Sequence, residues 1–217
     1  MSVYSNVDIK AALKTGHIVS YPEPAKISEA SIDVTLGEYF YTTDKVSGKL
    51  YYNPFSEEDV ARYFGNVKQA QTHLEWARAN NVGLFAGIDP EERIIVLKPG
   101  ERILAHTAEF IGIKPPGATM IKARSSVGRN GIAVCFDAGW GDPGYINRWT
   151  LEIFNLNQHH AIPLKVGMRI AQIVFLGTGI VEGNYGDDGK YQEGFDIEEL
   201  IKSWTPDKMF LKAPNRM

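Results

Sequence analysis

Residues Arg124-Ser125-Ser126-Val127-Gly128-Arg129 place two guanidiniums and two hydroxyls in one short run, a donor set suited to phosphate oxygens. Farther along, Glu152 stands inside the apolar string Leu151-Glu152-Ile153-Phe154, where a carboxylate is a candidate general acid or base. Asp137 and Asp142 lie between them, so residues 121–155 pack polar groups densely among strand-like apolar residues. That density suggests a site; the competing reading is a surface turn followed by a strand with one solvated Glu.

The elements that must position these groups are mostly strands. Ala30-Ser31-Ile32-Asp33-Val34-Thr35-Leu36-Gly37 alternates apolar and polar residues, which predicts a strand with Ser31 and Asp33 on one face, and Phe40 to Thr43 predicts another. From Ile94 onward, short β-rich runs are bounded by Pro99-Gly100, Pro115-Pro116-Gly117, Gly128, Gly131, Gly139, Pro143-Gly144 and Pro163. Such spacing predicts a sandwich or distorted barrel rather than βαβ units. Before the strands, Ser5-Asn6-Val7-Asp8 reads as a capping box that opens a short helix ending at Gly16. Residues 56–80 break the β pattern: Ser56 caps a run in which Val60, Phe64, Val67, Leu74 and Ala77 recur at helical spacing, predicting one long inserted surface helix. A last helix is predicted from Ile197 to Trp204.

A chain of 217 residues is expected to form a single domain, 1–217, with an insertion at about 45–93 and a C-terminal extension at about 193–217. A net charge of −3 gives no basic footprint for a nucleic-acid polymer, although a local basic cluster can still hold a small polyanion. The single cysteine, Cys135, allows no internal disulfide and no cysteine-rich metal site. With no signal-like amino terminus and no bilayer-length apolar run, the expected location is the cytoplasm, with no membrane partner. The five histidines show no ligand spacing, so no protein-held metal is expected. His73-Leu74-Glu75 matches half of the zinc deaminase signature, but the P-C-x-x-C half cannot exist here, and His73 is expected to be a solvated residue of the inserted helix. No P-loop, G-x-S-x-G elbow or dinucleotide fingerprint is present. What remains is acid–base chemistry by carboxylates supported by Arg and Ser.

The residues also carry a resemblance. Ala-Ser-Ile-Asp-Val-x-Leu-Gly at 30–37, Leu97-Lys98-Pro99-Gly100-Glu101 with Leu104, Thr107 and Glu109, and Arg-Ser-Ser-x-x-Arg at 124–129 come first, after Asp8-Ile9 and Gly16 of the opening helix. Ala138-Gly139-Trp140-x-Asp142-Pro143-Gly144-Tyr145, Thr150-Leu151-Glu152, Gly167-Met168-Arg169-Ile170-Ala171-Gln172 and Gly189-Lys190-Tyr191-Gln192 follow in order. Over most of its length the chain resembles the metal-free dCTP deaminases, which share a fold with the trimeric dUTPases. The resemblance implies an all-β distorted jelly roll with an N-terminal helix, an inserted helix and a C-terminal helical tail, assembled as a homotrimer with sites between subunits.

It also implies roles. Glu152 stands where the family's Glu takes a proton from water and passes it to the departing amine. Arg129 and Ser125 match the residues that orient the water and that Glu, and the backbone carbonyl at Ala138 matches an acceptor for the attacking water. Arg124, Ser125 and Ser126 match the phosphate-binding part of the motif, joined by Gln172, Tyr185 and Lys190 if the tail folds over the nucleotide. Asp142 matches the carboxylate facing the deoxyribose, and Tyr145, Thr150, Leu151 and Gln192 complete the expected substrate-binding set. Mg2+ is expected on the nucleotide triphosphate rather than in a protein cage, and no zinc is expected. The ligands such a site could take are dCTP, dUTP, and dTTP as an inhibitor.

This sequence departs from the family pattern at Asp137 (usually Thr), Asn147 (usually Gly) and Gly194, where a Gln is usual and for which Gln192 is the candidate substitute. The favoured function is deamination of dCTP to dUTP and ammonia. The alternative is the bifunctional type, forming dUMP and pyrophosphate, which Ala138-Gly139-Trp140 and Gln172 resemble. A plain dUTPase and a non-catalytic nucleotide-binding regulator are weaker readings, because Glu152 and Arg129 are both present.

Overall fold

The computed structural model describes residues 2–43, 48–136, 138–183, 185–189, 191–192 and 194–211. The capping box is present: Ser5 Oγ accepts from the Asp8 N–H, and the Asp8 carboxylate accepts from the Ser5 N–H at 2.9 Å. Gly16, with φ of 70°, closes the helix Asn6–Thr15, whose Ile9 and Ala12 dock on the core.

Every strand pairing among the described residues is antiparallel. One sheet runs in the order Trp140–Gly141, Ala118–Ala123, Arg169–Gly177, Ser31–Thr35, Lys26–Ser28, with Ser2–Val3 added to Arg169–Gly177. A second runs Ile132–Ala133, Ile146–Asn155, Arg102–Ile113, Tyr39–Thr42, Lys68–Gln69, with Ile18–Tyr21 added to the long central strand. The short ribbon Ile162–Lys165, Arg93–Leu97, Gln71–Thr72 completes the β structure. Ile32, Val34, Ile121, Ile173 and Phe175 of the first sheet meet Ile103, Ala105, Ile111, Leu151 and Ile153 of the second in one core. This is the expected distorted jelly roll.

Along the strand Ile146–Asn155, Leu151 and Ile153 are buried in the core, leaving Thr150 and Glu152 on the other face. Its partner Arg102–Ile113 bulges where the register shifts between Arg148 and Thr150. At the bulge the Trp149 N–H is taken by Thr107 Oγ1 at 2.9 Å, and the Thr107 hydroxyl in turn donates to the Glu109 carbonyl. Glu109 itself is buried and accepts from the Thr35 N–H and hydroxyl, tying the two sheets together.

The insert differs from expectation. The single long helix is two, Glu57–Phe64 and His73–Asn80. Gly65, at φ of 61°, ends the first, and Thr72 with Glu75 forms a capping box that starts the second. The residues between them leave the helix to pair with strands: Lys68–Gln69 with Tyr39–Phe40, and Gln71–Thr72 with Arg93–Ile94. His73 is not solvated; it is fully buried. Its Nε2 accepts from the Phe85 N–H at 2.9 Å, Nδ1 donates to the Ile88 carbonyl, and the ring stacks on Phe85. An imidazole with both nitrogens paired is a satisfied core residue.

The insert and the C-terminal segment share a second, smaller core. Val60 and Phe64 pack with Tyr41, Leu104 and Met209, and Trp204, Phe210 and Leu211 join them. The helix Ile197–Ser203 lands where the tail helix is predicted, and its Leu200 is buried against Phe110 and Ile146.

Candidate active site

The face of Ile146–Asn155 that carries Thr150 and Glu152 opens into a cavity of about 590 Å3. Leu104 lies directly across from Glu152 and Arg102 sits two residues before it on the same strand, so all three share one face. The turn side of the cavity is formed by Ala138, Trp140, Gly141, Asp142 and Tyr145, with Tyr185 and Tyr191 from the tail. Further lining comes from the second core: Tyr52, Tyr63 and Phe64 of the insert, and Met209 and Leu211.

Glu152 is half-buried, and its Oε2 is enclosed with no hydrogen-bond partner among the described residues. Burial raises its pKa above the ordinary carboxylate value, more than its own backbone N–H and the Arg102 charge lower it. A carboxyl moved in that direction can take a proton from water and return it in a later step. Nearby Cys135 is buried, and its thiol is pushed up to about 12, first by desolvation and then by the Glu152 charge. Its surroundings therefore favour the thiol over the thiolate that a nucleophile requires.

Asp142, which lines the same cavity, is exposed and accepts from Trp140 Nε1 at 3.0 Å. It also makes the turn that its sequence suggests, with the Tyr145 N–H donating to the Asp142 carbonyl. The turn needs its glycines. A Cβ at Gly139 would sit 2.6 Å from the Ile121 carbonyl oxygen, and one at Gly141 would sit 2.2 Å from Thr119 Oγ1. Just before it, Cys135 and Phe136 adopt φ of 63° and 42°, uncommon for residues with side chains, as the chain bends to present Ala138.

The structure thus brings Glu152, Ala138, Asp142, Tyr145, Thr150 and Tyr185 to one cavity. Leu151 is turned away into the core. Gln192 is buried and occupied: its side-chain oxygen accepts from the Ile146 N–H at 2.7 Å, and its amide donates to the Gly144 and Gly194 carbonyls. It anchors the tail instead of facing a ligand. Lys190 and Asp137 lie outside the described residues.

The Arg-Ser-Ser-x-x-Arg run does not line this cavity. Ser125 to Arg129 form a short helix on which Ser125, Ser126 and Arg129 are exposed. Arg124 instead pairs with Asp33, which is fully buried and also accepts from Arg169 Nη1 at 2.9 Å and Gln172 Nε2 at 3.1 Å. Gln172 reaches Ser31 as well, so the predicted shared face of Ser31 and Asp33 is what holds this cluster.

Sequence reasoning passes over Arg102 and the aromatic wall. Arg102 is detectable, since it has the same strand parity as Leu104. Tyr52, Tyr63, Met209 and Leu211 are not, because only the packing of two distant segments brings them there.

The paired sheets and the enclosed carboxylate define the class: a jelly-roll protein whose cavity suits acid–base chemistry. A family model described as dCTP deaminase-like matches residues 3–178, and the chain belongs to that family. The chain is 36% identical over 181 residues to a dCTP deaminase, dUMP-forming, of Methanopyrus kandleri, covering 81% of each chain. It is 32% identical over 208 residues to the protein of the same name from Methanosphaera stadtmanae, covering 92% of this chain and 94% of that one. Among solved structures, a 2'-deoxycytidine 5'-triphosphate deaminase from Agrobacterium tumefaciens matches with a TM-score of 0.54 at 18% identity, covering 81% of this chain and 48% of that one. That likeness concerns the fold.

Proposed function

We propose that the protein converts dCTP to dUMP in two hydrolytic steps. In the first, water adds to C4 of cytosine and ammonia leaves, giving dUTP; in the second, water cleaves dUTP to dUMP and pyrophosphate. The observation that carries this reading is that Glu152 and Asp142 line one cavity, one enclosed with a raised pKa and the other exposed. Two carboxylates in such different environments suit two different tasks. Glu152 takes the proton of the attacking water and delivers it to the departing amine, with the Ala138 carbonyl as acceptor for that water. Asp142 serves the sugar and phosphate end. The names of the relatives move the favoured product from dUTP to dUMP, and the close approach of Gly139 to Ile121 supports the Ala-Gly-Trp form of the turn over a bulkier one.

The cavity wall within one chain carries one cationic side chain, Arg102, among the described residues. Arg129, Ser125 and Ser126, exposed elsewhere, are therefore proposed to complete the cavity of a neighbouring subunit in a homotrimer, with Arg124 held ready by Asp33. Mg2+ would travel on the triphosphate, where it neutralises phosphate charge, and Asp142 is the exposed carboxylate of the cavity that could reach it.

The test is incubation with dCTP and Mg2+ followed by separation of the products, alongside sedimentation of the protein. Release of dUMP, pyrophosphate and ammonia by a species of three chains supports the reading. No turnover of dCTP or dUTP, or a monomer with full activity, overturns it.

A further inference from the structure

We propose that Arg102 recognises the pyrimidine itself: its guanidinium donates to the C2 carbonyl oxygen of the base whose C4 faces Glu152. This rests on the function proposed above and adds a residue to it. The geometry points there in three ways. Arg102 and Glu152 are diagonal neighbours on one face of the sheet and line the same cavity, yet no ion pair joins them. Arg102 Nε is enclosed without a hydrogen-bond partner among the described residues, as is Glu152 Oε2. A charged donor and a charged acceptor left apart in one cavity fit a ligand held between them. Arg102 also pairs with Phe154, at the far end of the strand Ile146–Asn155 from the Asp142 turn, its charge is felt by Tyr52, and Tyr52 and Tyr63, whose rings stack at 4.3 Å, line the same cavity. A flat ring is the moiety that such a wall accommodates.

The chemistry agrees. As the water oxygen bonds to C4, its proton passes to Glu152 and the C4–N3 electron pair moves onto N3, spreading negative charge to the C2 oxygen. A guanidinium there stabilises that charge as it develops. When the pair returns, the C4–amine bond breaks and ammonia leaves with the Glu152 proton. The C2 carbonyl is common to cytosine and uracil, so the contact survives deamination and holds the nucleotide for the second step.

The experiment compares wild type with Arg102→Met and Arg102→Lys, following ammonia release from dCTP across pH, with melting curves to verify folding. Arg102→Met should lower kcat by about a hundredfold. It should also move the acidic limb of the profile to higher pH, because the charge that favours ionised Glu152 is gone. Arg102→Lys should keep the limb in place while kcat stays well below wild type. A Met variant within threefold of wild type with an unmoved limb overturns the proposal, as does a Lys variant with wild-type kcat. Should the Met variant not fold, the Lys variant decides. Binding of dCTP in a Glu152→Gln background reads Arg102 without turnover: Arg102→Met should weaken it at least tenfold, and equal affinity contradicts the proposal. Wild type that releases no ammonia, by contrast, defeats the proposed function while this binding measurement still judges Arg102.

Discussion

Replacing Asp33 should destabilise the protein and disarm Arg124 together. Asp33 is fully buried and holds Arg124, Arg169 and Gln172 through its two oxygens. Removing one partner of a buried pair typically costs about 3–5 kcal/mol, because a charge is left uncompensated. Here the low end applies. The Arg124 and Arg169 side chains are 24% and 41% exposed, so both guanidiniums can recover water, and the more exposed pair contributes little. A loss of about 3 kcal/mol in a chain of this size lowers the Tm by roughly 6–12 °C. Calorimetry of Asp33→Ala and Arg169→Gln, with KM for dCTP measured on each, separates the effects. Asp33→Ala should show the full drop in Tm and a raised KM, whereas Arg169→Gln should cost under about 1 kcal/mol. An Asp33→Ala protein melting within 2 °C of wild type, by roughly the same conversion under 1 kcal/mol, would refute the reasoning.

Other outcomes follow from the same structure. Glu152→Gln should abolish ammonia release while leaving dCTP binding largely intact, and it should also stabilise the protein above the ordinary carboxylate range. The raised pKa means that wild-type stability from this group is full below the unfolded value and is lost as pH rises through the folded one. Matched melting curves at pH 4 and pH 8 check this, and a variant no more stable than wild type at pH 8 counts against it. His106, 2% exposed, is held down to about 4 by burial, so its contribution is full above its unfolded value and is lost as pH falls toward 4. That loss amounts to about 3 kcal/mol from the size of the shift, and the slope of stability between pH 6.5 and 4 should flatten in His106→Gln. Phe64→Ala should cost about 3–5 kcal/mol and raise KM for dCTP, since Phe64 both fills the second core and walls the cavity. Urea denaturation and steady-state kinetics read the two effects, and an unchanged KM in a folded variant would remove the insert from the site.

The parts of the fold visible in the sequence are those written in short-range pattern. Ser5 and Asp8 cap their helix through neighbours three residues apart, and the alternation of Ser31 and Asp33 with Ile32 and Val34 places both polar residues on one face, where they meet Gln172. The insert misleads because Val60, Phe64 and Leu74 keep helical spacing across Gly65 and the strands Lys68–Gln69 and Gln71–Thr72, and spacing alone does not register that sheet edges are waiting for partners. His73 misleads for a related reason: its partners, the Phe85 N–H and the Ile88 carbonyl, lie on a loop that returns over it. At the site, chemistry is legible residue by residue, but not the sharing of one cavity. The wall from Tyr52, Tyr63, Met209 and Leu211 depends on two segments far apart in the chain, while Arg124 is held by the buried Asp33 and Ser125 and Arg129 are exposed on a short helix outside the cavity.

The most direct test of the central claim is a single product analysis. Purified protein incubated with dCTP and Mg2+ is sampled over time, with dCTP, dUTP and dUMP separated by ion-exchange chromatography and ammonia and pyrophosphate assayed in the same samples. The account predicts dUMP, ammonia and pyrophosphate in equal amounts, with Glu152→Gln producing none from dCTP. Accumulation of dUTP with no pyrophosphate would contradict the two-step reading, and unconverted dCTP would contradict the function altogether.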